Sequence, residues 1–139
     1  MIRLNIFCEG QTEETFVNEV LYEYFLNQGI FVYPILVKTS KHGRGGMSSY
    51  GKVKRQIEIK CKEDTGCFVT TMFDYYAFPE DCPGYVESKD IVTPYKIAEF
   101  LNSKVEEDIN QKNFISNFMM HEFEALLFAN PEVFIEWVG

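Results

Sequence analysis

At 139 residues the chain has the length of one domain, enough to bury a core without disulfide or metal staples, and its apolar residues form no run approaching the roughly 18 of a membrane span. A net charge of −8 argues against a generic polyanion binder. Four cysteines, Cys8, Cys61, Cys67 and Cys82, show neither CxxC nor paired metal-ligand spacing, which predicts free thiols and argues against a zinc site.

The opening "MIRLNIF" is strand-like and lacks the features of a leader, so a cytoplasmic location with no membrane association is expected. Residues 2–8, "IRLNIFC", read as a strand that runs into Glu9 and Gly10, a glycine expected to let the backbone turn tightly. The next segment, 11–29, puts Phe16, Val17, Val20, Leu21, Tyr24 and Phe25 on one helical face, with Thr12 as N-cap and Gly29 as the stop. "IFVYPILVKT" is a second strand, "SKHGRGGMSSYGK" a glycine-rich loop, and "KVKRQIEIKCKEDTG" a short basic helix ended by Gly66. From Lys38 to Lys62 eight basic side chains face one acid, Glu58, which leaves the remainder of the chain strongly acidic. That stretch is either a landing place for phosphates or a solvated helix face.

"CFVTTMFDYY" is a third strand that ends in Asp74, and "AFPEDCPGYVESKDIV" is irregular. Thr93 before Pro94 opens a helix over "TPYKIAEFLNSKVEEDINQ", "NFISNFMM" is a fourth strand, and "HEFEALLFANPEVFIEWVG" reads as helix with a break near Pro131. Strands alternating with helices predict a single α/β domain over 1–139, a sandwich around a mostly parallel sheet of about four strands. The chain stops just after "VFIEWVG", and the expectation is a fragment or a minimal version of the domain.

Ligands of open parallel sheets bind outside the carboxyl ends of the strands. There the reading places Glu9, Asp74 and Glu122, from distant parts of the sequence. Clustered carboxylates repel one another unless a cation offsets the repulsion, and oxygen-only ligands suit Mg2+ or Mn2+ better than zinc. His121 is a candidate general acid or base near neutral pH, and simpler roles exist beside the chemical ones: Glu13 and Glu14 favour a helix N-terminus, Asp74 caps a turn, and His121 is a structural donor. If 121–128 is helical, His121 and Glu124 share a face; if extended, Glu122 and Glu124 do.

"GMSSYGKV" nearly fits a P-loop but fails at Val53, which has no hydroxyl for magnesium. Gly43, Gly45 and Gly46 instead suggest a flexible loop that carries Lys41, His42 and Arg44 toward the crevice. With Lys52 and Arg55 these are candidate phosphate contacts. Tyr75, Tyr76 and Phe78 either stack on bases or pack.

"CEGQTEE" after the first strand and "MFDYY" on a later one resemble the TOPRIM domain of topoisomerases, primases and the overcoming-lysogenisation-defect (OLD) nucleases. Through "EGQTEE", "FDYY", "FP" and "HEFEALLF", over most of the chain, the sequence more closely resembles the TOPRIM-related family catalogued as domain of unknown function 4276 (DUF4276). The resemblance implies a Rossmann-like sheet, Glu9 as general acid/base and Asp74 as the first aspartate of a metal motif. It also implies a separate ATPase partner and an anti-phage setting. Where TOPRIM proteins carry Asp-x-Asp, this chain has Tyr76, so either Glu122 or Glu124 supplies the missing ligand, or the metal binds loosely, or catalysis has been lost and a phosphate-binding scaffold remains. The leading expectation is a magnesium-dependent nuclease acting on DNA or RNA. The alternative is a non-catalytic module that binds nucleotide, nucleic acid or an ATPase partner. An oligomer is compatible with either.

Overall fold

The computed structural model describes residues 1–38 and 49–120. Strand β1 (Ile2–Cys8) alternates Leu4, Ile6 and Cys8 on one face with Asn5 and Phe7 on the other, the period of a pleated strand covered on both sides. Helix α1 (Gln11–Phe16), a π-helical turn (Val17–Leu21) and α2 (Tyr22–Leu26) follow one another with right-handed helical dihedrals at each junction. Gly10, not Thr12, is the N-cap, and it makes no side-chain cap bond. Gly29, at φ 79°, ends the rod in the left-handed region where glycine is favoured.

Next come β2 (Ile30–Leu36), α3 (Tyr50–Glu63), β3 (Phe68–Asp74), a 3-10 turn (Tyr75–Ala77), α4 (Tyr85–Ser88), α5 (Pro94–Ile109), β4 (Phe114–Ile115) and β5 (Phe118–Met119). The sheet runs β2-β1-β3-β4, with β5 paired to β3, and every pairing is parallel. Helices flank it on both sides. Val17, Leu21 and Phe25 meet Ile6, Cys8, Val32 and Met72 on one face. On the other, Val53, Ile57 and Cys61 of α3 and Ile97, Leu101 and Val105 of α5 close over Phe7, Val69 and Phe73. The expected α/β architecture with a mostly parallel sheet is therefore present. Among the described residues no helix is long and apolar enough to cross a membrane, and the four cysteines are free and buried.

Three boundaries differ from the sequence reading, each for a physical reason. Helix α3 starts at Tyr50, because Ser49 is its N-cap and accepts from the Lys52 amide. Gly51 and Lys52 thus belong to its first turn and not to a loop. The segment read as irregular contains α4, whose Ser88 hydroxyl is buried against Tyr75 and Tyr85. The fourth strand is two short pieces, since Thr71 Oγ1 donates to the Asn117 carbonyl (2.7 Å) and accepts from its amide (2.9 Å). A side chain there takes the place of a ladder rung.

Asn113 ties the end of α3 to the start of β3: its Nδ2 donates to the carbonyls of Cys61 (3.1 Å) and Cys67 (2.8 Å). Asn113→Ala leaves both acceptors unpaired in a half-buried place and is expected to cost about 1–3 kcal/mol in urea unfolding. A loss below about 0.5 kcal/mol would mean that water replaces the amide.

Candidate active site

Because β1 and β3 are parallel neighbours, their carboxyl ends fall on the same edge of the sheet. Glu9 follows β1 directly and Asp74 ends β3. The structure brings the two together: the Asp74 amide donates to Glu9 Oε1 at 2.8 Å. Asp74 Oδ1 in turn accepts from the Tyr76 amide at 3.0 Å, which caps the 3-10 turn. The capping role considered for Asp74 is therefore real and occupies one of its oxygens. Asp74 Oδ2 and Glu9 Oε2 have no hydrogen-bond partner among the described residues.

Burial pushes the Glu9 carboxyl up to about 7; the Asp74 amide pulls it back, and the charges of Glu13 and Asp74 push it further up. Glu13 stands in the first turn of α1 with Glu14, where negative charge suits the helix dipole. Its Oε2 lies 3.5 Å from where a Cβ on Gly10 would be, so it leans back over the turn. Gly10 itself is a correction. At φ −153° and ψ −174° it is extended backbone open to any residue, and an added Cβ would meet only ordinary contacts. Cys8, just inside the crevice, is pushed up to about 12 by burial and by Glu13 and Glu14, so it offers no thiolate near neutral pH.

The aromatic candidates divide. Tyr75 and Phe78 are buried in the core, which removes them as base-stacking platforms, whereas Tyr76 is 64% exposed beside Asp74. Lys52 and Arg55 are exposed on α3 and have no ion pair among the described residues. Gln56, one position further along, exchanges hydrogen bonds with the Lys38 backbone just past β2 (2.8 and 3.1 Å). The first turns of α3, Lys52 and Arg55 included, therefore stand at the same carboxyl edge as Glu9 and Asp74. Lys54 points away and pairs with Asp108 at 3.0 Å.

Lys41, Arg44, His121, Glu122 and Glu124 lie outside the described residues. Among the described residues no three His, Cys, Asp or Glu side chains gather closely enough to hold a metal ion. The sequence reading missed Asp81. Both its oxygens accept from the Tyr50 amide (3.1 and 3.3 Å), so the positive end of α3 already meets a carboxylate of the protein's own. Only its place in a Pro- and Asp-rich stretch hinted at a cap, with nothing local to name the helix.

The chain belongs to the family described as a domain of unknown function (DUF4276), whose model matches residues 8–137. No curated protein and no solved structure gives a match.

Proposed function

We propose that this DUF4276 chain is a metal-dependent phosphoryl-transfer enzyme with a TOPRIM-like, Rossmann-type sheet, a nuclease acting on DNA or RNA. The observation that carries the reading is the Glu9–Asp74 pair at the ends of adjacent parallel strands: the Asp74 backbone amide donates to Glu9 Oε1 at 2.8 Å, and each carboxylate keeps one oxygen free of partners among the described residues. That donor set fits Mg2+ or Mn2+, with Asp74 as ligand and Glu122 or Glu124, which follow β5 in the sequence, completing the shell. When bound, the cation would neutralise phosphate oxygens and stabilise the leaving oxygen.

Glu9 suits general acid/base work, since a carboxyl held near 7 is partly protonated under physiological conditions. Its Oε1 is fixed by the Asp74 amide, which leaves Oε2 to hold or release the proton. Lys52 and Arg55 would seat phosphates at the same edge, joined by Lys41 and Arg44. An anti-phage setting with an ATPase partner belongs to this reading through resemblance alone. A second reading, a binding module without catalysis, is favoured by Tyr76, where TOPRIM proteins have a second aspartate.

Titration of Mg2+ or Mn2+ into the purified chain, followed by heteronuclear NMR, tests the site. Shifts should centre on Glu9 and Asp74 and disappear in Glu9→Ala and Asp74→Ala, and both variants should lose about 10²-fold or more of any nucleic-acid cleavage while remaining folded. If saturating metal moves none of these signals, the catalytic reading fails. Retained nucleic-acid affinity in Asp74→Ala, without cleavage by the wild type, would favour the binding module.

A further inference from the structure

The basic side chains of α3 fall into two sets. Lys54 is met by Asp108 at 3.0 Å and Lys60 by Glu63 at 3.7 Å. Lys52, Arg55 and Lys62 are exposed and form no ion pair among the described residues. At about 100° per residue these three lie within roughly 80° of one another, opposite the buried Val53, Ile57 and Cys61. Glu63 shares that face with its charge met by Lys60, and Ile59, 55% exposed, sits in its middle. Helix α3 runs antiparallel to the strands: Gln56, near its start, bonds the Lys38 backbone after β2, and its end is tied through Asn113 to the Cys67 carbonyl before β3. The stripe therefore leads from the Glu9–Asp74 edge of the sheet to the opposite, amino edge. There Lys62 and Lys112 wall one cavity of about 540 Å³, together with Gln111 and Phe68. A solvated face normally intersperses charges of both signs. Here eight of the 13 Lys and Arg residues of a chain with net charge −8 fall between residues 38 and 62.

We propose that this stripe is a phosphate track: a nucleic-acid strand held at the Glu9–Asp74 crevice continues along the outer face of α3, its backbone met in turn by Lys52, Arg55, Lys62 and Lys112. Charge selects the occupant, because a row of unpaired cations on an otherwise acidic body complements a polyanion, and contacts of this kind fix position without reading sequence. From Lys52 to Lys62 the helix rises about 15 Å, and one strand of a duplex advances about 3.4 Å per nucleotide, so the track spans about four nucleotides beyond the crevice. The ligand class is thus a polynucleotide and not a mononucleotide or dinucleotide. The inference rests on the nucleic-acid part of the reading above but not on its catalytic part, since a binding module would use the same track.

Fluorescence anisotropy of labelled oligonucleotides in chelator tests the track with no cleavage required. Affinity should rise at least about tenfold from a dinucleotide to an octanucleotide, as successive phosphates find partners. Lys62→Ala and Lys112→Ala should each weaken octanucleotide binding about three- to tenfold for every sequence alike, and lower the slope of log K against log salt by about 0.7–0.9. Both side chains are exposed, so far-UV circular dichroism should hold. Lys104→Ala, whose cation lies over the Phe100 ring of α5, should change neither affinity nor slope. Unchanged affinity and slope in both the Lys62 and Lys112 variants overturn the track; if Lys52→Ala still weakens binding, the crevice reading stands without it. Failure of every oligonucleotide to bind at low salt overturns the track and the nucleic-acid reading together. Self-association of the wild type that Lys62→Ala abolishes and oligonucleotides do not compete away overturns the track as well, because the stripe would then dock an acidic surface of a second copy. The expected length and salt dependence in a protein that magnesium leaves unmoved would sustain the track while the catalytic reading falls.

Discussion

Phe73→Ala is expected to remove about 3–5 kcal/mol of stability, a large share of the 5–15 kcal/mol typical of a whole domain. Phe73 is 1% exposed and central to the α3/α5 face of the sheet. Its ring stacks on Phe78 at 5.2 Å and lies 6.4 Å from Phe118, while Phe78 meets Phe118 edge-on at 4.8 Å. Removing the ring takes away one side of a three-ring cluster, and β3, β5 and the loop after Asp74 cannot all close over the gap. Urea unfolding should show a lower midpoint with an unchanged slope, and Phe73→Leu should lose clearly less. A loss under about 1 kcal/mol would mean that the cluster collapses freely. The effect reaches the crevice, because Phe73 is the last buried residue before Asp74, and the Asp74 amide is the group that fixes Glu9.

That dependence explains which parts of the molecule the sequence could disclose. The strand at 2–8 and the helical run from residue 11 are local patterns and both elements are present, but a π-helical turn at Val17–Leu21 breaks the 3.6-residue period, so Tyr22 packs toward the sheet while Tyr24, expected on the buried face, is 60% exposed. Glu9 and Asp74 could be placed at strand ends for the same reason. Their direct bond could not be read, because it needs β1 and β3 to be neighbours, and the order β2-β1-β3-β4 is set by packing between distant segments. The interruption at Ser116 and Asn117 was hidden likewise, since it rests on Thr71, 46 positions away from Asn117. Two misreadings were avoidable. Ser49 before an amphipathic run is a cap signal that the neighbouring glycines obscured. A glycine after a strand suggested a special turn, yet Gly10 adopts dihedrals that any residue can reach.

Glu9→Gln is expected to make the metal-free protein more stable at pH 8, with the gain confined to one side of a defined pH window. The folded carboxyl titrates at about 7, against an ordinary value of 4.5, because burial disfavours its charge. Below 4.5 the group is protonated in both states and ionisation contributes nothing. Between 4.5 and 7 the unfolded chain gives up the proton first, so the native state holds more protons and stability falls as pH rises. Above 7 the penalty is complete and constant. Glutamine keeps an oxygen to accept from the Asp74 amide but never charges, so in chelator its advantage should be near zero at pH 4 and grow to on the order of 1–3 kcal/mol at pH 8, partial exposure being discounted. Parallel stability profiles for the two proteins would show that water solvates Glu9 in the folded state. Magnesium adds the decisive comparison. A cation in the crevice stabilises ionised Glu9 and Asp74, so it should raise the wild type at pH 8 and close the gap to Glu9→Gln. A gap indifferent to magnesium would leave Glu9 a strained carboxylate with no cation to relieve it, and the binding-module reading would then account for the crevice better.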